Sequence, residues 1–193
     1  MKKGIGIVVL LFLMSFAGHA QKDQTIFNEG GIRLTGAWGG PYVGGTLIDG
    51  KIARQSGGMF GLEFNKNLVL GWGGNSVDYP SLDGASIDFS YSGLFLNYMP
   101  SAQKAVHPSF GILAGGGHFG AAAQNNKSKN DIWVGQPFAG VEFNLFRWCR
   151  VGVMGGYRFA FFVGEDFPNI STDDLSAPYG ALTFKFGFSW GDL

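Results

Sequence analysis

Apolar residues alternate with polar or small ones along almost the whole chain after about residue 31, and no segment there keeps a helical period over three turns. The pattern predicts eight strands, over roughly residues 31–40, 53–64, 68–76, 87–98, 107–119, 131–144, 148–162 and 178–190. In the second, Phe60, Leu62 and Phe64 alternate with Met59, Gly61 and Glu63; in the third, Leu68, Leu70 and Trp72 alternate with Val69, Gly71 and Gly73. The seventh sets Val151, Val153, Tyr157 and Phe159 against Gly152, Met154, Gly156 and Arg158. The eighth sets Leu182, Phe184, Phe186, Phe188 and Trp190 against Thr183, Lys185, Gly187 and Ser189. The first agrees, with Ile32, Leu34 and Trp38 opposite Arg33, Thr35 and Ala37. The fourth is less regular: Phe89 and Tyr91 share a parity with Asn97, while Leu94, Leu96 and Tyr98 take the other. Either a bulge or inward-facing aromatics would account for that.

The predicted connections alternate in length. Asn65 to Asn67, Met99 to Val106 and Leu145 to Arg147 are short, whereas Gly40 to Ile52, Val77 to Ser86, Gly120 to Asn130 and Val163 to Ala177 are longer or more polar. An even-stranded meander puts both chain ends on the side of the tight turns and the long loops opposite. The pattern therefore predicts an all-β fold, an eight-stranded antiparallel up-and-down barrel.

Composition decides which face of that barrel is apolar. Charged residues make up 15% of the chain, against roughly 25% in soluble domains, while glycine numbers 33 and aromatics reach 16%. A water-soluble barrel with an apolar interior needs a charged exterior. The face opposite the aromatics carries instead mostly Gly, Ser, Thr and Ala, which suits a crowded interior. From Leu182 to Trp190, steps of about 3.3 Å at a tilt near 40° span roughly 20 Å, most of the ~25 Å apolar band of a transmembrane β-barrel. The aromatics are thus expected to face lipid.

The first residues fit this reading. Lys2 and Lys3 precede an apolar run from Ile5 to Phe16, followed by Gly18 and Ala20, the plan of a secretory signal peptide over residues 1–20. The run is shorter than the ~20 residues of a membrane-spanning helix. Residues 21–193 then form one barrel domain, and Gln21 stands where a lipoprotein would carry cysteine. Cys149 is the single cysteine, so no intramolecular disulfide is expected. With 14 basic and 14 acidic residues, the net charge of zero gives no field for nucleic acid.

The N-terminal signal, the Gly-rich alternating strands, and the stretches YSGLFLNYMPSAQKAVH, GVEFNLFRWCRVGVMGGYRF and DLSAPYGALTFKFGFSW together resemble the small outer-membrane β-barrel proteins of the Bacteroidota. The resemblance spans essentially the whole chain after the leader and rests on pattern rather than on an invariant motif. It implies an outer-membrane location, contact with membrane lipid and lipopolysaccharide, and a last strand read by the outer-membrane assembly machinery. The chain departs from that signal in one respect, since Gly191-Asp192-Leu193 follow Trp190.

Arg33, Glu63, Glu142, Arg158 and Lys185 fall on the inward face, where a lone charge is very costly, so a lumenal ion-pair network is expected, with Glu63 or Glu142 as partner of Lys185. Trp38, Trp133 and Tyr179 near loop-side strand ends, with Tyr98, Trp148 and Trp190 near turn-side ends, are expected to form two aromatic girdles. His107 and Ser109, two apart on a strand, share a face and could form a base–nucleophile pair. The arrangement resembles that of outer-membrane lipid A deacylases, yet these residues follow a short turn, far from the outer leaflet. Gly115 to Gly120 matches G-x-G-x-x-G without the helix that a dinucleotide site requires. Glu165, Asp166, Asp173 and Asp174 make an acidic loop whose spacing fits no EF-hand. No catalytic residue, metal or cofactor is assigned. The expected function is non-enzymatic, envelope-structural or surface-binding through the loops. The alternatives are a lipid-modifying enzyme and a soluble exported barrel for a small apolar ligand.

Overall fold

The computed structural model describes residues 31–48, 51–82, 85–123, 126–163 and 172–190. The expected signal peptide, the acids Glu165 and Asp166, and the terminal Gly191-Asp192-Leu193 lie outside the described residues. A compact unit beginning at Leu34 holds the strands, and of the unit before it only residues 31–33 are described.

Eight strands follow one another: β1 (Leu34–Ile48), β2 (Lys51–Phe64), β3 (Leu68–Leu82), β4 (Ala85–Tyr98), β5 (Val106–Ala123), β6 (Asn126–Phe146), β7 (Cys149–Val163) and β8 (Ala177–Ser189). Each pairs antiparallel with the next, and β8 closes on β1 through pairs such as Ala37 with Phe188 and Val43 with Leu182. A one-turn helix, α1 (Thr172–Leu175), precedes β8. Closure leaves no unpaired sheet edge.

The outer wall is apolar. Phe60, Leu62, Leu70, Trp72, Leu94, Val153, Leu182, Phe186 and Phe188 are exposed there, while their sequence neighbours turn inward. So continuous a surface far exceeds the few hundred Å² a soluble monomer usually exposes. At the turn side Tyr98, Trp148 and Trp190 stand exposed, and Trp148 stacks between Phe146 and Phe186. Trp133 is exposed on β6 between Gly116 and Phe161.

The other two expected girdle residues point inward. Trp38 is buried because the register shifts between Leu34 and Gly36; Leu34 is outward, and beyond the shift the even positions Trp38 and Tyr42 face the lumen. One extra residue in a strand reverses the parity of everything after it. Since β1 continues to Ile48, Trp38 also lies near the turn side rather than the loop side. Tyr179 is buried as well, in the same parity as Ala181, Thr183 and Lys185. The irregularity of β4 is not a bulge: it pairs with β5 from Ser86↔Ala122 to Tyr98↔Phe110 without a shift, and Phe89, Tyr91 and Phe95 face inward.

Three of the four expected long loops are largely strand. Ladders continue to Ile48↔Lys51, Leu82↔Ala85 and Ala123↔Asn126, well past the apolar belt. Asp78, expected in a loop, sits on hydrogen-bonded backbone opposite Arg54, and both are exposed outward.

Glycine allows close approach between the paired backbones of β4 and β5. Gly93 and Gly115 are paired across β4 and β5, and a Cβ on Gly93 would lie 2.4 Å from the Gly115 Cα and 2.1 Å from the Ala114 carbonyl oxygen. Backbone would have to move, so Gly93→Ala is expected to cost about 1–3 kcal/mol in urea unfolding. Gly135→Ala is the control: a Cβ there meets nothing within 4 Å, and a change within about 0.5 kcal/mol is expected.

Candidate functional site

Among the described residues the lumen is where buried polar chemistry is concentrated, and alternation puts it there. Every strand contributes inward residues at each second position, so side chains from all eight meet in layers.

At the turn side two charged clusters sit side by side. Lys185 on β8 donates to Glu142 Oε1 on β6 at 2.6 Å, both nearly fully buried. His107 Nε2 lies 3.8 Å from the other carboxylate oxygen, and Asn97 Nδ2 donates to Oε1 at 3.4 Å. In the second cluster Arg150 on β7 donates through Nη2 to Glu63 Oε1 on β2 at 3.1 Å, and Ser189 donates to Glu63 Oε2. The Arg150 guanidinium lies over the Trp38 ring, 3.7 Å from its centroid. Trp38 Nε1 in turn donates to Ser189 Oγ at 3.2 Å.

A neutral layer follows. Gln55 donates to Asn75 at 2.9 Å, Asn75 to Gln136 at 3.0 Å, and the Tyr91 hydroxyl to the same Gln136 oxygen at 2.7 Å. Met59, Phe95, Leu113, Phe138 and Met154 fill the space between the layers. Cavities of about 10 Å³ remain on either side of Phe138 and Met154, each about the volume of one water.

Nearer the loop side Arg158 is fully buried. Its Nε donates to the Leu175 carbonyl of α1 at 2.9 Å, and its guanidinium lies 4.9 Å from the Phe89 ring centroid. Leu175, also fully buried, inserts between β7 and the lumenal aromatics. Ser176 fastens the same segment, accepting from the Ala160 N–H through its hydroxyl at 3.0 Å and from the Tyr157 hydroxyl through its carbonyl at 3.2 Å. Among the described residues, Leu175 is the α1 side chain packed into the buried cluster at this end.

The structure brings Glu142 to Lys185 but joins Glu63 to Arg150, which is not among the expected network residues although it shares the inward parity of Gly152 and Met154. Arg158 belongs to neither cluster. Arg33 is a correction: it precedes β1, is exposed, and does not line the lumen. The strand begins only at Leu34, so the inward parity that Arg33 shares with buried Thr35 has no barrel wall to act on at that position.

His107 and Ser109 do share a face, but it is the inner one, and both are almost completely buried. Ser109 Oγ donates to Asn97 Oδ1 at 2.8 Å rather than to the imidazole, whose Nδ1 lies 3.2 Å from the Lys104 carbonyl oxygen. Neither residue reaches the outer wall where an acyl chain would lie. Gly115 to Gly120 runs through the body of β5, with no helix to receive a phosphate. Asp173 lies exposed on α1, and among the described residues no three His, Cys, Asp or Glu side chains are grouped to hold a metal ion.

No protein-family model matches the chain, and neither does any curated protein. Solved structures do. Neisserial surface protein A (NspA) superposes with a TM-score of 0.60 at 10% identity, over 83% of this chain and 99% of that one. Ail, the attachment invasion locus protein of Yersinia pestis, superposes with a TM-score of 0.52 at 14% identity, over 82% and 100%. At such identities the likeness is one of fold, and the fold is that of the small outer-membrane β-barrels.

Proposed function

We propose that this chain resides in an outer membrane as a closed, non-enzymatic barrel, exported by its leader, and that it serves the envelope structurally or binds a surface ligand at its loop side. The observation that carries this reading is the pairing of an apolar outer wall with a packed lumen in which Glu142 bonds to Lys185 and Glu63 to Arg150. Lumenal ion pairs tie β6 to β8 and β2 to β7, and the cavities beside Phe138 and Met154 measure only about 10 Å³ each. A surface-binding role draws support from the strands that run beyond the apolar belt and present Lys51, Arg54, Asp78 and Asp131 outward. The two similar barrels, Neisserial surface protein A and an attachment invasion locus protein, agree with a role at the cell surface. Lipopolysaccharide at the loop side and the assembly machinery acting on β8 are the partners this reading entails.

Fractionation and conductance test it together. The protein is expected in the outer-membrane fraction, with heat-dependent gel mobility, and the purified barrel in a planar bilayer is expected to show no stable channels. Recovery from the periplasm without detergent would favour the soluble ligand-binding barrel, although the cavities of about 10 Å³ among the described lumenal residues are too small for an apolar ligand. Frequent open channels would overturn the closed lumen.

A further inference from the structure

Beneath the lumenal charges, the turn side opens into a vestibule of about 990 Å³. We propose that this vestibule binds the phosphate of an anionic phospholipid from the adjoining leaflet, with Lys66, Arg147 and Arg150 as its cationic wall. The proposal rests on the membrane reading above and adds a ligand to it.

Charge is the first argument. The turns Asn65–Asn67, Met99–Ala105 and Arg147–Trp148 carry Lys66, Lys104 and Arg147 and no Asp or Glu. The acids of the neighbouring strand ends, Glu63 and Glu142, are buried and engaged by Arg150 and Lys185. Among the described residues neither Lys66 nor Arg147 has a carboxylate within ion-pair distance, and the described lining of the vestibule carries positive charge in excess.

Arg150 supplies the second argument. It is 6% exposed, and although Nη2 reaches Glu63 and the ring of Trp38 covers one face, its Nε has no hydrogen-bond partner. A buried, charged donor left unsatisfied in a wall of the vestibule marks a position where an acceptor oxygen would be stabilised.

The third argument selects a lipid over a free anion. Leu145, Phe146 and Trp190 line the same vestibule and are exposed at its rim. Through the stack of Phe146, Trp148 and Phe186 this shoulder is continuous with the apolar outer wall. A molecule with an anionic head and acyl chains can place the head among the cations and lay its chains over the shoulder. A free phosphate would leave the shoulder unused.

The test is native mass spectrometry of the barrel in micelles containing equal amounts of palmitoyl-oleoyl phosphatidylglycerol and phosphatidylcholine. Wild-type protein is expected to retain phosphatidylglycerol with a preference of roughly tenfold, which Lys66→Ala/Arg147→Ala abolishes. Lys51→Ala/Arg54→Ala, removing equal charge at the loop side, should keep the preference. Equal retention of the two lipids by wild type, or equal loss in both double variants, overturns the proposal. Displacement of the lipid by millimolar inorganic phosphate overturns the lipid as the source of the phosphate. Heat-dependent gel mobility reports folding of each variant, and wild-type insertion into phosphatidylcholine vesicles is measured separately, so that a failure to insert would count against the membrane reading rather than the site.

Discussion

Glu142→Gln should lower the unfolding free energy of the barrel by roughly 3–5 kcal/mol, measured by urea titration of the refolded protein with tryptophan fluorescence as readout. The substitution keeps shape and removes charge. Lys185, 5% exposed and 2.6 Å from Glu142 Oε1, would then be a cation in a closed lumen with its counter-ion gone. Water cannot replace the lost partner, because the adjoining cavity of about 10 Å³ holds at most about one molecule. The double variant Glu142→Gln/Lys185→Met removes both charges and should recover most of the loss, since a buried pair gains little over an apolar replacement. A single variant as stable as wild type, or a double variant worse than the single, would show that the pair does not hold β6 to β8.

That pair was open to inference because Lys185 interrupts an otherwise uniform aromatic alternation, and a charge on the inner face of a barrel needs a partner. Much of the architecture was legible for the same reason: side chains alternate with period two, so β2, β3, β7 and β8 declare their inner faces directly. Where the inference failed, the cause is local and physical. The shift between Leu34 and Gly36 reverses parity in β1, moving Trp38 from the girdle to a stacking position under Arg150, while Arg33 is exposed because the strand starts one residue after it. A bulge of this kind has no residue signature. Tyr179 differs, because its parity with Ala181 and Thr183 already pointed inward; its aromatic character outweighed its position.

The neutral layer of Gln55, Asn75, Gln136 and Tyr91 escaped for another reason. Amides inside a barrel satisfy one another across strands far apart in sequence, as Asn75 and Gln136 do between β3 and β6. Nothing in a single strand announces the match. Strand length was hidden too, since backbone pairing continues past the apolar belt into residues that are polar on the outside. Only the belt, not the ladder, is written in hydrophobicity.

Leu94→Arg should destabilise the barrel in phosphatidylcholine bilayers by about 2–4 kcal/mol, whereas Tyr98→Arg should cost about 0–1 kcal/mol. Both residues are exposed on the outer wall of β4. Tyr98 ends its strand at the turn side, level with the girdle where an arginine can reach headgroups. Leu94 lies four residues deeper, roughly 10 Å along the barrel normal at a strand tilt near 40°. That is close to the middle of a ~25 Å apolar band. Its neighbours across the ladder are Trp72 and Ala114, so no acid is at hand to receive the guanidinium. The comparison between the two sites isolates depth, because both variants add the same charge to the same strand. Equal, small penalties would mean that water rather than lipid bathes the wall, and the large exposed apolar surface would then have to be covered by protein. A penalty at Leu94 that disappears when the barrel is studied in short-chain detergent would identify the hydrocarbon interior as its source, since a small micelle lets the charge find water at any height on the wall.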